Sequence, residues 1–178
     1  MLSIVVATDI NNVIGGDDET GHPIMPWHCP EDLGVFKRIT INGTVIMGRR
    51  TFDSLPAKFK PLPNRKNIVI SKSMYPNGIP ITVIPSFEHA MMLYKDRRDM
   101  DVFIIGGASI YEQAMEHVDT IYKSLIYDKH GVPLELDQSS LRNIKKFPEI
   151  DMNKFYKQLT TCGDTMELTV YNRRKNNG

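Results

Sequence analysis

Val102-Phe103-Ile104-Ile105-Gly106-Gly107-Ala108-Ser109-Ile110-Tyr111 is an apolar run that halts at two glycines and then resumes with helical spacing. Residues 102–105 read as a strand buried on both faces, the pattern of a parallel sheet. Gly106-Gly107 permits a close backbone approach, either for a tight turn or for a pyrophosphate, and a helix over residues 109–115 follows. The pair is not a GxGxxG fingerprint, because Ala108 and Ser109 come next. The same strand-then-helix order appears upstream. Leu2–Thr8 and Thr44–Gly48 are strands, residues 49–55 a short helix closed by Pro56, and residues 67–71 and 81–84 further strands. Pro30 opens a helix carrying Leu33, Phe36, Lys37 and Ile41 at helical spacing. Phe87–Tyr94 is helical and residues 120–127 are β-rich.

The end of the chain differs. Residues 155–161 and 166–171 flank Cys162-Gly163-Asp164 as a hairpin. The expected fold is α/β, one domain over residues 1–178, with flanking helices, a mostly parallel sheet and an antiparallel C-terminal edge hairpin. Residues 15–25 hold three glycines, three acids and a proline, which predicts a long exposed loop of the kind used as a lid. Residues 128–153 give no clear pattern.

Bulk properties exclude more than they assign. A net charge of +1 disfavours a general polyanion binder, so nucleic acid is not an expected partner. No stretch approaches membrane-spanning length, and Met1-Leu2-Ser3-Ile4-Val5-Val6-Ala7 reads as a strand rather than a signal peptide. Cys29 and Cys162 read as free thiols in a reducing compartment, so a cytoplasmic location is expected. The five histidines show no metal-ligand spacing, and no metal is expected.

Three further segments can carry chemistry. In Met25-Pro26-Trp27-His28-Cys29-Pro30-Glu31-Asp32-Leu33, a loop feeds a helix; Asp32 is a helix-start acid or a site acid, and Trp27 a core residue or a site wall. In Thr44-Val45-Ile46-Met47-Gly48-Arg49-Arg50-Thr51-Phe52, two arginines stand at a helix start, where cations are misplaced unless an anion arrives. In Pro61-Leu62-Pro63-Asn64-Arg65-Lys66-Asn67, a proline-stiffened turn delivers Arg65, which is either a solvated cation or an anion contact.

Together and in this order, these segments resemble the dihydrofolate reductase family. The resemblance runs through Asn12-Val13-Ile14-Gly15, Met25-Pro26-Trp27, Asp32, Val45-Ile46-Met47-Gly48-Arg49, Thr51, Leu62-Pro63, Arg65-Lys66-Asn67-Ile68 and Ile104-Ile105-Gly106-Gly107 to Tyr111-Glu112-Gln113. It implies eight strands, parallel but for the last, and a cis peptide between Gly106 and Gly107. It implies NADPH as cofactor and dihydrofolate and its analogues, the antifolates, as ligands of a monomer.

By the same resemblance, Asp32, Trp27, Tyr111 and Ser124 form the catalytic set. Val5, Val6, Ala7, Asp32, Leu33, Phe36, Leu55, Leu62, Arg65, Ile105 and Ser124 line the substrate cleft. The cofactor would touch Ala7, Ile14, Gly15, Met25, Gly48, Arg49, Arg50, Thr51, Ser71, Lys72, Ile105, Gly106, Gly107, Ala108, Ser109, Ile110, Tyr111 and Gln113. Four departures from the family pattern stand out: the longer loop over residues 15–25, Asn64 for a usual glycine, Ser109 for a frequent basic residue, and Gly131-Val132-Pro133-Leu134-Glu135-Leu136 for the segment that steadies the lid. Two other readings share the pattern. One is the pyrimidine reductase of riboflavin synthesis, which lacks the combination of Asp32 and Arg65. The other is a non-catalytic protein that kept the fold.

Overall fold

The computed structural model describes residues 1–175. Strand β1 (Leu2–Thr8) is buried along almost its whole length. Two short strands, β2 (Val13–Asp17) and β3 (Pro23–Ile24), precede helix α1 (Pro30–Thr40). Pro30 occupies the first turn of α1, where no N–H is needed; Glu31 and Asp32 face the positive end of the helix dipole, and Lys37 and Arg38 the negative end. β4 (Thr44–Gly48) passes directly into α2 (Arg49–Ser54), followed by β5 (Lys66–Ile70) and β6 (Thr82–Ile84). Ser86 caps α3 (Phe87–Tyr94) by accepting from the His89 amide at 3.2 Å. β7 (Val102–Ile104) leads through the two glycines into α4 (Ala108–Ala114). β8 (Thr120–Ile126), β9 (Arg142–Lys146) and the hairpin of β10 (Phe155–Cys162) and β11 (Met166–Arg173) follow.

Eight strands form one sheet in the order β10-β11-β8-β1-β7-β4-β5-β6. From β8 to β6 all neighbours are parallel, while β11 runs antiparallel to both β8 and β10. This is the mostly parallel sheet with an antiparallel edge hairpin that the sequence predicts. Alternation along each strand sorts its residues to two faces. Ile4, Val6, Ile46, Ile68, Ile104 and Ile121 pack with α3 and α4. Val5, Val45, Met47, Val69, Phe103 and Ile105 pack with Phe52 and with Phe36 and Ile39 of α1. Each such side chain contributes about 1.5–3 kcal/mol on burial, so both faces hold the sheet in place.

The expected long loop over residues 15–25 needs correction. β2 pairs antiparallel with β3 through Gly16 and Ile24, and with β9 through Gly15 and Lys145, giving a separate three-stranded sheet. The glycines that read as loop residues permit this approach: a Cβ at Gly15 would lie 2.7 Å from the Ile24 carbonyl oxygen, and one at Gly16 2.9 Å from that of Arg142. Only residues 18–22 form an exposed tip, closed by Asp18 Oδ1 accepting from the Thr20 and His22 amides. β9 thus gives β2 a partner strand outside residues 131–136. Asn64 takes the left-handed conformation (φ 56°) allowed to asparagine.

Asp9 ties these parts together. It is fully buried, and its Oδ1 accepts from the Asn11 and Val13 amides at 2.8 Å each. Its Oδ2 accepts from the Leu136 amide at 3.1 Å, so one carboxylate joins the end of β1, the start of β2 and residues 131–136. Asp9→Ala leaves buried amides without acceptors and should cost about 2–4 kcal/mol of unfolding free energy. Urea denaturation checks this, and a loss below about 0.5 kcal/mol would mean that water replaces the carboxylate.

Candidate active site

Strands β1, β4, β5 and β7 run parallel and end on one edge, the edge where open α/β sheets build their sites. At this edge the Gly48 amide donates to the Gly106 carbonyl at 2.8 Å. The Gly106–Gly107 peptide is cis, as the resemblance implies. Gly107 caps α4, and a Cβ there would lie 3.2 Å from Thr51 Oγ1, so α2 and α4 begin in contact.

Asp32 lies in the first turn of α1 and is buried. Burial pushes its carboxyl pKa up, and a hydrogen bond with the Ser124 hydroxyl partly offsets the rise. Ser124 reaches this position because β8 pairs with β1 in a register that sets it beside Ala7. The neighbouring Glu31 fastens the helix start from outside: its Oε2 accepts from the Thr165 amide at 2.9 Å and from the Thr165 hydroxyl at 2.7 Å. The Trp27 indole N–H is shut away from solvent and finds no acceptor among the described residues. A buried donor in that state favours any ligand or water that can accept from it.

Tyr111 is fully enclosed, and its hydroxyl donates to the Val5 carbonyl at 2.9 Å. Burial first, and the charge of Asp32 second, raise its pKa. It holds β1 against α4. Val5, Phe36, Leu55, Leu62 and Ile105 belong to the core on the α1 face, and Ala7 packs beside Trp27. Val6 does not join them, since alternation turns its side chain into the opposite core. Leu33 stands exposed on the rim.

Arg65 lies at the far end of α1. Its Nε donates to Thr40 Oγ1 at 2.8 Å, its Nη1 to the Pro63 carbonyl at 2.7 Å, and its guanidinium sits over the Phe36 ring. Nη2 has no acceptor and the side chain no acidic partner among the described residues, while burial lowers its pKa. An arriving anion would relieve that. Buried Asn67, quoted in the motif but given no role from sequence, fixes the turn that carries Arg65. Its Nδ2 donates to the Leu62 and Arg65 carbonyls and its Oδ1 accepts from the Leu62 amide. A polar residue opening a buried strand was the available signal.

The expected cofactor residues fall along the ends of the strands. Gly48, Thr51, Ile105 and residues 106–110 converge there. Ser109 is engaged with Gln113, whose Nε2 donates to the Ser109 carbonyl and hydroxyl. Ser71 Oγ accepts from the Ser73 and Met74 amides, leaving its proton free, and Lys72 is exposed. Ile14 packs against the core, buried Gly15 follows it in β2, and Met25 is exposed. The two arginines are not idle. Arg49 donates to Ser73 Oγ at 3.3 Å and pairs with Asp53 at 3.5 Å, and Arg50 pairs with Asp17 of β2. No His, Cys, Asp and Glu cluster fit for a metal occurs among the described residues.

The family model described as dihydrofolate reductase matches residues 1–172. The chain is 36% identical over 126 residues to dihydrofolate reductase type 3 of Salmonella typhimurium, covering 71% of this chain and 72% of that one. It is 36% identical over 145 residues to the dihydrofolate reductase of Bacillus subtilis, covering 79% of each. The structure of dihydrofolate reductase from Enterococcus faecalis complexed with NADP(H) and RAB-propyl superposes with a TM-score of 0.77 at 27% identity, over 98% of this chain and 97% of that one. This protein belongs to the dihydrofolate reductase family.

Proposed function

We propose that this protein reduces 7,8-dihydrofolate to 5,6,7,8-tetrahydrofolate with NADPH, and that Asp32 is the acid that reads the pterin ring. The observation that carries this reading is a buried carboxylate in the first turn of α1, raised in pKa, with, packed on the same helix, an arginine that has no acidic partner among the described residues. Arg65 rests on Phe36 and Thr40, four and eight residues beyond Asp32. At the helical rise this is about 6–12 Å, a span suited to a flat ring at one end and an anionic tail at the other. The pyrimidine reductase of riboflavin synthesis lacks that acid and arginine together, and family membership favours neither it nor a non-catalytic relative.

The residues present fit a dinucleotide. Gly106 and Gly107 carry no side chains at the point where α2 and α4 meet, and the buried Trp27 N–H is in want of an acceptor. Thr51 and residues 107–110 would hold the pyrophosphate, and Arg49, Arg50, Ser71 and Lys72 would receive the 2′-phosphate. NADPH supplies the hydride when bound. Asp32 would accept from the pterin 2-amino and N3–H groups, fixing which face of the ring is presented, while Ser124 steadies the carboxylate. Burial raises its pKa, and as the acid held against the pterin it would pass a proton toward N5 by way of water. Tyr111 acts through position alone. Antifolates would occupy the same cleft. We further read the protein as a cytoplasmic monomer; two free cysteines fit a reducing compartment.

Asp32→Asn should lose turnover by roughly 100-fold or more at pH 7, as is typical for a general acid or base, with partial recovery in acid, where more substrate arrives protonated. Near-wild-type turnover at pH 7 would remove Asp32 from this role. The same variant should be more stable than the parent. A pKa raised by burial means that the folded state holds this proton more tightly than the unfolded state, so stability falls as pH rises from the ordinary value of 3.8 through the folded value. Melting temperatures should therefore favour Asp32→Asn at pH 7, and the gap should narrow as pH falls toward 3.8.

Arg65→Ala removes a charge-assisted contact of about 1.5–3 kcal/mol, roughly a 10- to 150-fold loss in dihydrofolate affinity. A dihydropterin without the glutamate tail should bind variant and parent alike. Equal weakening of both ligands would make Arg65 a structural residue.

A further inference from the structure

The small sheet of β2, β3 and β9 meets the cofactor edge through an ion pair that the proposed mechanism does not use. Asp17 ends β2 and its side chain is only 7% exposed, whereas that of its partner Arg50 is 62% exposed. Asp17 Oδ1 accepts from Arg50 Nη2, and Oδ2 accepts from Asn143 Nδ2 at 2.8 Å. Asn143 lies in β9 with a left-handed backbone (φ 47°), which presents its amide to the carboxylate. Hydrogen bonding to Asn143 and Arg50 lowers the Asp17 pKa against the opposing effect of burial, so the group is ionised at neutral pH. Arg50 Nε and Nη1 have no acceptor among the described residues, so the guanidinium is held by one corner while most of it stays open to solvent.

We propose that Asp17 is a specificity-determining residue for the cofactor, competing with the 2′-phosphate of NADPH for the Arg50 guanidinium. This rests on the reading of Arg50 as a phosphate contact. Two anions that share one cation weaken each other's hold on it. The carboxylate is fixed from behind by Asn143, so the exposed arginine is the mobile member of the pair. Asp17 therefore lowers the affinity for the phosphorylated dinucleotide and leaves its unphosphorylated counterpart alone. Because Asp17 belongs to β2, the exchange also links occupancy of the phosphate site to how firmly the lid strand is held against α2. Arg49 already has Asp53 and Ser73 as local partners within or near its own helix, so that competition is not of the same kind.

The test is a set of NADPH and NADH dissociation constants at low salt for the parent, Asp17→Asn, Arg50→Ala and the double variant. Asp17→Asn keeps the volume of the side chain and an oxygen for Asn143, and Asp17→Ser gives a second route to the uncharged state. Both should bind NADPH about two- to fivefold more tightly, the size expected for an exposed ion pair, with NADH unchanged and no gain when Arg50 is alanine. The gain should shrink with salt. Weaker NADPH binding in both variants, equal shifts for the two dinucleotides, or a gain that survives Arg50→Ala would each overturn the proposal. Arg50→Ala alone tests the underlying reading. If it lowers NADPH affinity relative to NADH while the Asp17 variants change nothing, Arg50 contacts the phosphate and Asp17 has no part in the choice. If the ratio of the two constants ignores Arg50, the phosphate lies elsewhere and both readings fall.

Discussion

Two strands can share a site at their ends only if their backbones stay in contact there. β4 and β7 do so beyond the last paired residues. The Ile105 amide donates to Ile46 at 2.9 Å, and the Gly48 amide then donates to Gly106 at 2.8 Å. This last bond brings the starts of α2 and α4 together, and it leaves little room for side chains. A Cβ at Gly106 would lie 3.3 Å from the Tyr111 hydroxyl and 3.4 Å from Thr51 Oγ1. Gly106 also holds φ at 121°, which an L side chain rarely adopts. The Tyr111 hydroxyl in turn donates to Val5, so the same cluster reaches across to β1. Thr51, Ile105 and residues 106–111 take their places from this contact.

The parts of the molecule legible in the sequence are those governed by local pattern. Runs such as Val45-Ile46-Met47 alternate between two cores and can be strands for no other reason. The three-stranded sheet was not legible, because its pairing depends on glycines at positions 15 and 16 that read as loop, and on a partner strand more than a hundred residues away. β9 itself, Arg142-Asn143-Ile144-Lys145-Lys146, has one apolar residue in five and an asparagine with positive φ, so no periodicity announces it. Asp32 and Arg65 could be singled out by family resemblance, but not every residue that fixes them. The resemblance already set Ser124 with the acid, and the strand register places it there, whereas only the fold reveals that Asn67 anchors the turn under the arginine. Val6 was assigned to the cleft by the resemblance, whereas alternation along β1 sends its side chain to the other face.

The two halves of the site carry their charges differently. Along α1, Asp32 is desolvated and Arg65, packed on Phe36 and Thr40, lacks an acid. These groups are fixed by packing and by Asn67, and burial makes each charge less favourable than it would be in water. A ligand with a hydrogen-bond donor for Asp32 and an anion for Arg65 meets groups already fixed in place, which is the condition for strong and selective binding. At the cofactor edge the arginines already have acids, Asp53 for Arg49 and Asp17 for Arg50, so that half costs the folded state little. An incoming phosphate there exchanges partners instead of finding vacant ones, and its net gain is smaller. The substrate half therefore concentrates its affinity in a few preorganised groups, whereas the cofactor half must draw on the long backbone contact that Gly48, Gly106 and Gly107 make possible. A Cβ at Gly107 would lie 3.2 Å from Thr51 Oγ1 and one at Gly106 3.3 Å from the Tyr111 hydroxyl, so a side chain at either glycine would disturb the contact on which that half depends.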